Sequence, residues 1–177
     1  MRNTANDASI GRTIWLTGLP CSGKTTTAIA LQAELSAQGV SAQVLDGDEL
    51  RRQIGNELGF SREDRFENVR RAVYVSGLLN KHGVTTIVSL ISPYIAMRDY
   101  ARSQLPHFVE VHIDCSLQEC ERRDVKGMYA KARLGEITSF TGVSDVYEIP
   151  PSPDLTLHTD QYSLQENIAR LLKALDG

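Results

Sequence analysis

Eight residues near the start of the chain, Gly18-Leu19-Pro20-Cys21-Ser22-Gly23-Lys24-Thr25, satisfy the spacing G-x-x-x-x-G-K-[ST] without a mismatch. In such a loop the glycines let backbone N–H groups wrap a phosphate chain, the following helix start adds a partial positive charge, the lysine adds a full one, and the Thr25 hydroxyl is a Mg²⁺ ligand. Thr26, next along the helix start, is grouped with the loop as a nucleotide contact. A chance Gly-rich turn is the alternative. Against it, an apolar β-branched run, Thr13 to Thr17, precedes the loop, and a helix-forming run, Thr26 to Gln38, follows it. The loop predicts a bound nucleoside triphosphate and leaves the phosphate acceptor open.

Three further clusters carry reactive groups. Asp46-Gly47-Asp48 ends a second predicted strand, at the carboxyl edge where open α/β sheets bind ligands. There Asp48 faces the phosphates, as a base or as a Mg²⁺ ligand, directly or through water; the alternative is an N-cap for a helix over Glu49 to Ile54. Arg65, Asn68 and Arg71 share a face of a long helix predicted from Arg62 to about Lys81, started by Ser61 and Asp64. With Glu63, Asp64 and Glu67 nearby, a solvated ion-paired face is equally open. Arg122, Arg123, Lys126, Lys131 and Arg133 then place five cations in twelve residues, with hinges at Gly127, Gly135 and Gly142. Residues 122–142 read as a basic lid over phosphates, or else as a solvated charged helix.

The remaining elements must position these groups. Strands are predicted over Val84 to Leu90, Phe108 to Asp114 and Asp154 to His158. Helices are predicted over Ile95 to Leu105, Ser116 to Arg123 (capped by Ser116 and Glu119) and Leu164 to Leu175. Alternating strands and helices predict an α/β fold, a parallel sheet of about five strands with helices on both faces. The reactive loops then gather on one sheet edge, Ile91-Ser92-Pro93-Tyr94 among them. Residues 13–177 form one domain, and residues 1–12 are expected to be a disordered lead-in. A net charge of −3 argues against nucleic-acid or membrane-surface binding. Three cysteines without metal spacing, and no long apolar segment, lead to an expected cytoplasmic location.

Asp46-Gly47-Asp48, Leu58-Gly59-Phe60-Ser61, Asp64-Arg65-x-Glu67-Asn68-Val69-Arg70-Arg71, Ile91-Ser92-Pro93-Tyr94, Arg123-Asp124-Val125-Lys126-Gly127, Lys131-Ala132-Arg133-x-Gly135-Glu136-Ile137 and Phe140-Thr141-Gly142 occur in the order seen in adenylyl-sulfate kinases. The chain resembles that family from about Thr13 to the last strand. The resemblance implies a P-loop kinase of three-layer fold that moves the ATP γ-phosphate to the ribose 3′-hydroxyl of adenosine 5′-phosphosulfate (APS), with Mg²⁺, in sulfate assimilation. It also implies that Arg51, Arg65 and Asn68 contact the phosphosulfate and ribose, that Phe60 and Phe140 stack on the adenine, and that the backbone at Ile91 and Ser92 touches base or ribose. Lys126 and Lys131 would reach the acceptor from the lid, and Arg123 the ATP. The family's phosphorylated serine falls on Ser92, whereas a single in-line transfer needs no covalent relay. Pro20-Cys21 departs from the small residues usual in the family's loop.

A homodimer and a separate sulfurylase partner are expected with that function. The alternatives are a kinase for another nucleotide-linked acceptor, such as a cytidine-linked phosphoramidate, and a small-metabolite kinase of the shikimate or gluconate type. A GTPase-like switch lacks the N-K-x-D aspartate at Asn80-Lys81-His82-Gly83. A catalytically inert nucleotide-binding subunit also remains open.

Overall fold

The structure is a computed structural model and describes residues 10–176. Most of the expected lead-in, residues 1–9, lies outside the described residues. The docked chain begins before Thr13. The Gly11 N–H donates to Asn80 O at 2.8 Å, and a Cβ at Gly11 would meet Val84 O at 2.0 Å, so only glycine fits that crossing.

Strands β1 (Thr13–Thr17), β2 (Ala42–Asp46), β3 (Thr85–Ser89), β4 (Phe108–Asp114) and β5 (Leu155–His158) form one parallel sheet in the order β2-β3-β1-β4-β5. The expected α/β architecture is present. β1 is central and every residue of it is buried. Successive side chains leave opposite faces of the sheet. Trp15 therefore enters one core with Val69, Val88 and Met97, while Ile14 and Leu16 enter the other with Leu31, Val111 and Leu157. The first core packs under α2 (Gly47–Ile54), α3 (Arg62–Lys81) and α4 (Ile95–Gln104). The second packs under α1 (Lys24–Ala37) and α7 (Leu164–Asp176). Because β3 and β4 lie on opposite sides of β1, the chain switches direction at β1, and the carboxyl edge there opens into a crevice.

Two expected caps differ in the structure. Asp46, not Asp48, caps α2, its Oδ1 accepting from the N–H of Asp48 at 3.0 Å and of Glu49 at 3.3 Å. Asp48 is thereby freed to project from the first helical turn. Ser116 precedes α5 (Leu117–Arg123) but makes no side-chain cap, and the Glu119 side chain, the other half of the expected box, pairs with Arg122 and Arg123 instead. Ser61 caps α3 as expected, accepting from Asp64 N at 3.1 Å. The basic segment contains a short helix, α6 (Met128–Arg133). No helix among the described residues is long and apolar enough to cross a membrane.

Candidate active site

β1 delivers the Gly18–Thr25 loop to the sheet edge. A Cβ at Gly18 would meet Ile113 O at 2.5 Å, and Gly23, at φ 102°, holds the left-handed position before α1. Cys21 occupies the left-handed region as well, at φ 59°, without being glycine. Lys24 folds back over its own loop, its Nζ donating to Gly18 O at 3.0 Å and Leu19 O at 2.6 Å. Burial pushes the Lys24 ammonium down to about 8. Thr25 Oγ1 donates to Asp46 Oδ2 at 2.8 Å and lies 3.2 Å from Ser89 Oγ. Thr26 is exposed on the cavity wall.

The loop is braced from outside. Arg123 Nη2 donates to Thr159 O at 2.8 Å, and its Nη1 lies 3.4 Å from the carbonyls of Cys21 and Ser22. Thr159 Oγ1 donates to Ser22 O at 2.6 Å, and Tyr129 OH to Pro20 O at 3.0 Å. Glu119 holds Arg123 Nε at 2.9 Å, and its two arginine partners draw its own pKa down to about 2.

A second set of side chains faces the loop from α2, α3 and the segment after α6. Phe60, 53% exposed, lies between two guanidinium groups, with Arg51 4.8 Å and Arg65 5.8 Å from its ring centroid. Arg51 Nη1 donates to Gly59 O at 2.7 Å. Arg65 donates to Phe60 O at 3.0 Å and Ser139 O at 2.5 Å, and lies 3.8 Å from Asp145. Burial lowers both arginines' pKa values, and for Arg51 the charge of Arg65 lowers it further. Two like charges this close, Arg65 buried and Arg51 half-buried, favour an anion between them. Asn68 is buried beside them with its Oδ1 unpartnered among the described residues. Phe140 meets Tyr129 edge-on, with centroids 4.9 Å apart.

The loop after β3 is buried and tied by side-chain hydrogen bonds. Ser92 adopts φ 45° and is 3% exposed. Its Oγ accepts from Trp15 Nε1 at 2.9 Å, and its carbonyl accepts from Arg98 Nη1 at 2.6 Å. Ile91 O accepts from Thr17 Oγ1 at 2.7 Å.

One cavity of about 780 Å³ joins the two sets. Pro20, Cys21, Gly23, Lys24, Thr25, Thr26, Asp48, Arg51, Phe60, Arg65, Asn68, Ile91, Ser92, Arg123, Lys126 and Phe140 all line it. Gly18, Leu19 and Ser22 support the loop from behind, and Lys131 does not line the cavity. The five lid cations thus separate. Lys126 bonds Asp48 across the mouth of the cavity, whereas Arg122 pairs with Glu119 and Arg133 with Glu121. Lys131 is exposed and has no ion pair among the described residues.

Sequence reasoning passed over two groups that line the cavity, Asp46 and Thr159, and two that stand behind it, Asp145 and Arg98. Asp46 stood in the Asp46-Gly47-Asp48 run, but the choice fell on Asp48. Thr159 follows β5 at the same carboxyl edge, a signal that went unused. Asp145 and Arg98 are brought in by packing alone: Tyr94 OH donates to Asp145 at 2.9 Å, and Arg98 forms a buried pair with Glu110 at 2.8 Å. Among the described residues no three His, Cys, Asp or Glu side chains cluster as a metal site.

The family model described as adenylylsulphate kinase matches residues 10–158. The adenylyl-sulfate kinase of Microcystis aeruginosa is 50% identical over 165 residues, 93% of this chain and 91% of that protein. That of Deinococcus deserti is also 50% identical, over 93% of this chain and 91% of its own length. The structure of the Mycobacterium tuberculosis APS kinase in complex with AMPPNP and APS superposes with a TM-score of 0.91 at 44% identity, covering 95% of this chain and 99% of that one. Shikimate kinase from Aquifex aeolicus, 16% identical with a TM-score of 0.56, shares the fold.

Proposed function

The chain belongs to the adenylylsulphate kinase family, and from that premise we propose that it transfers the γ-phosphate of ATP to the ribose 3′-hydroxyl of APS in one in-line step. The observation that carries the proposal is a single cavity lined at one end by a phosphate-binding loop and at the other by Arg51, Phe60, Arg65 and Asn68. Phosphoryl transfer asks the protein mainly to position two substrates and stabilise charge, and this cavity has a place for each substrate.

The loop amides and Lys24 hold the β- and γ-phosphates, and the carbonyls of Gly18 and Leu19 give up the lysine when phosphate arrives. Arg51 and Arg65 take the phosphosulfate, and Phe60 and Phe140 the adenine of the acceptor. Asp48 orients the 3′-hydroxyl and receives its proton as the oxygen attacks phosphorus and the bond to ADP breaks. Lys126, bonded to Asp48, exchanges that carboxylate for the charge on the transferred group; Lys131, exposed on α6, is assigned to the outer face of the lid.

Mg²⁺ fits the donors present: Thr25 offers a hydroxyl, with the Asp46 carboxylate 2.8 Å behind it and Asp48 in the next turn. Hard oxygen donors in small number, completed by phosphate and water, suit that ion. When bound, it neutralises charge on the phosphate oxygens. Ser92 has a positioning role in this reading, since its hydroxyl is already engaged by Trp15 in a buried loop. A homodimer is the assembly proposed, supported by Tyr74 and Leu78 standing exposed on α3.

Purified protein with MgATP and a panel of acceptors tests the reading by ADP release. Turnover of APS is expected. Turnover of a cytidine-linked phosphoramidate without APS would replace the acceptor while leaving the kinase, and no turnover with any acceptor would overturn both.

A further inference from the structure

The cavity extends past the phosphate-binding loop, away from Arg51 and Phe60, to a wall made by Thr159, Tyr162, Leu164 and Asn167. Thr159 fixes this wall to the loop through its bond to Ser22 O, and Arg123 fixes it from the other side. If the loop holds the triphosphate and the arginine pair holds the acceptor, this third region is left for the base of the phosphate donor. The inference rests on that reading of the cavity.

Asn167 lies in the first turns of α7 and is 1% exposed. Its Nδ2 donates to His158 O at 3.3 Å and to Tyr162 O at 3.2 Å. Its Oδ1 is buried and has no partner among the described residues. The amide cannot turn over, because Oδ1 would then face two carbonyl oxygens and both donated bonds would be lost. Asn167 therefore offers this end of the cavity an acceptor and no donor. A buried acceptor left unpaired is unfavourable, so a ligand that supplies a donor there is favoured. Adenine presents an exocyclic amine at its 6-position, where guanine presents an oxygen.

We propose that Asn167 Oδ1 accepts a hydrogen bond from the exocyclic amine of the donor nucleotide's adenine, and that this contact selects ATP over GTP and over purine triphosphates lacking the amine. Asn167 lies in α7, beyond the residues 10–158 matched by the family model.

The test compares kcat/KM for ATP, GTP and purine riboside triphosphate, which lacks the 6-amine. The unaltered protein is expected to favour ATP over both by roughly tenfold or more, the value of one buried hydrogen bond. Asn167→Ala and the near-isosteric Asn167→Leu lower ATP toward the purine analogue and leave the analogue nearly unchanged. Ser163→Ala serves as the structural control, since Ser163 and Glu166 bond reciprocally at the start of α7 and the substitution loosens that turn without touching Oδ1. It is expected to lower the unfolding midpoint and keep the ATP-to-analogue ratio. A ratio near one in the unaltered protein overturns the assignment without any variant. A ratio that survives in Asn167→Ala or Asn167→Leu overturns it as well. ATP turnover by the unaltered protein in either case leaves the kinase reading standing, whereas no turnover of ATP removes both.

Discussion

The two ends of the cavity are built by opposite means. The donor end is mostly backbone: eight consecutive residues, braced by Arg123, Thr159 and Tyr129, with the one cation satisfied by its own loop. The acceptor end is side chain, assembled from α2, the turn at Phe60, α3 and the stretch from Ser139 to Asp145, with two arginines pressed against one exposed ring. A backbone site needs a fixed local spacing and tolerates changes in its side chains, which is why Pro20-Cys21 fits the donor end. A side-chain site needs no spacing, but each residue in it is specific.

Substitutions at the two ends should therefore fail differently. Lys24→Ala is expected to lose on the order of 10²-fold or more in kcat, as for removal of one electrostatic donor to a transition state. Full activity in that variant would break the contrast at its root. Arg65→Ala should raise the KM for the acceptor by roughly tenfold or more, the range for a charged hydrogen-bonding partner, and leave the KM for ATP nearly unchanged. Equal effects on both substrates would show that Arg65 supports the whole cavity. Ser92→Ala should keep activity within about tenfold of the unaltered protein, because it removes one neutral hydrogen bond from a buried loop. Loss comparable to Lys24→Ala would instead favour a covalent role for the serine.

The smallest effect concerns pH. Lys24 is held down at about 8 by burial, against 10.5 for a free side chain. Between these values the unfolded chain binds more protons than the folded one, so the stability of the ligand-free protein gains from this group as pH rises through that window. Urea midpoints at pH 7.5 and 9.5 should show this gain, and Lys24→Met should abolish it. An unchanged difference in the variant would place the gain elsewhere.

The contrast also governs how much of the site was legible in the sequence. The loop declared itself, because phosphate wrapping fixes glycines at set positions. The parallel sheet covered on both faces followed from the alternation of elements, whereas its strand order, β2-β3-β1-β4-β5, is set by which strands pack against β1 and has no local signal. The cap of α2 fell to Asp46 and left Asp48 to the cavity for a reason that pattern alone does not carry: an aspartate caps whichever helix its backbone enters, and α2 begins one residue after Asp46. The cations of residues 122–142 looked alike in the sequence, yet neighbouring carboxylates at Glu119 and Glu121 took Arg122 and Arg133, and packing turned only Arg123 and Lys126 inward. Asp145, which lies against Arg65 across 80 residues of chain, had no local signal at all.

Trp15 is the chain's one tryptophan, fully buried in β1, with its indole N–H on the Ser92 hydroxyl. The protein thus carries a single tryptophan emitter, insulated from solvent and bonded to the loop proposed to touch the acceptor. Titrating the acceptor analogue should change its emission, and Ser92→Ala should shift the starting spectrum and damp that response, so acceptor binding can be followed optically in the unlabelled enzyme.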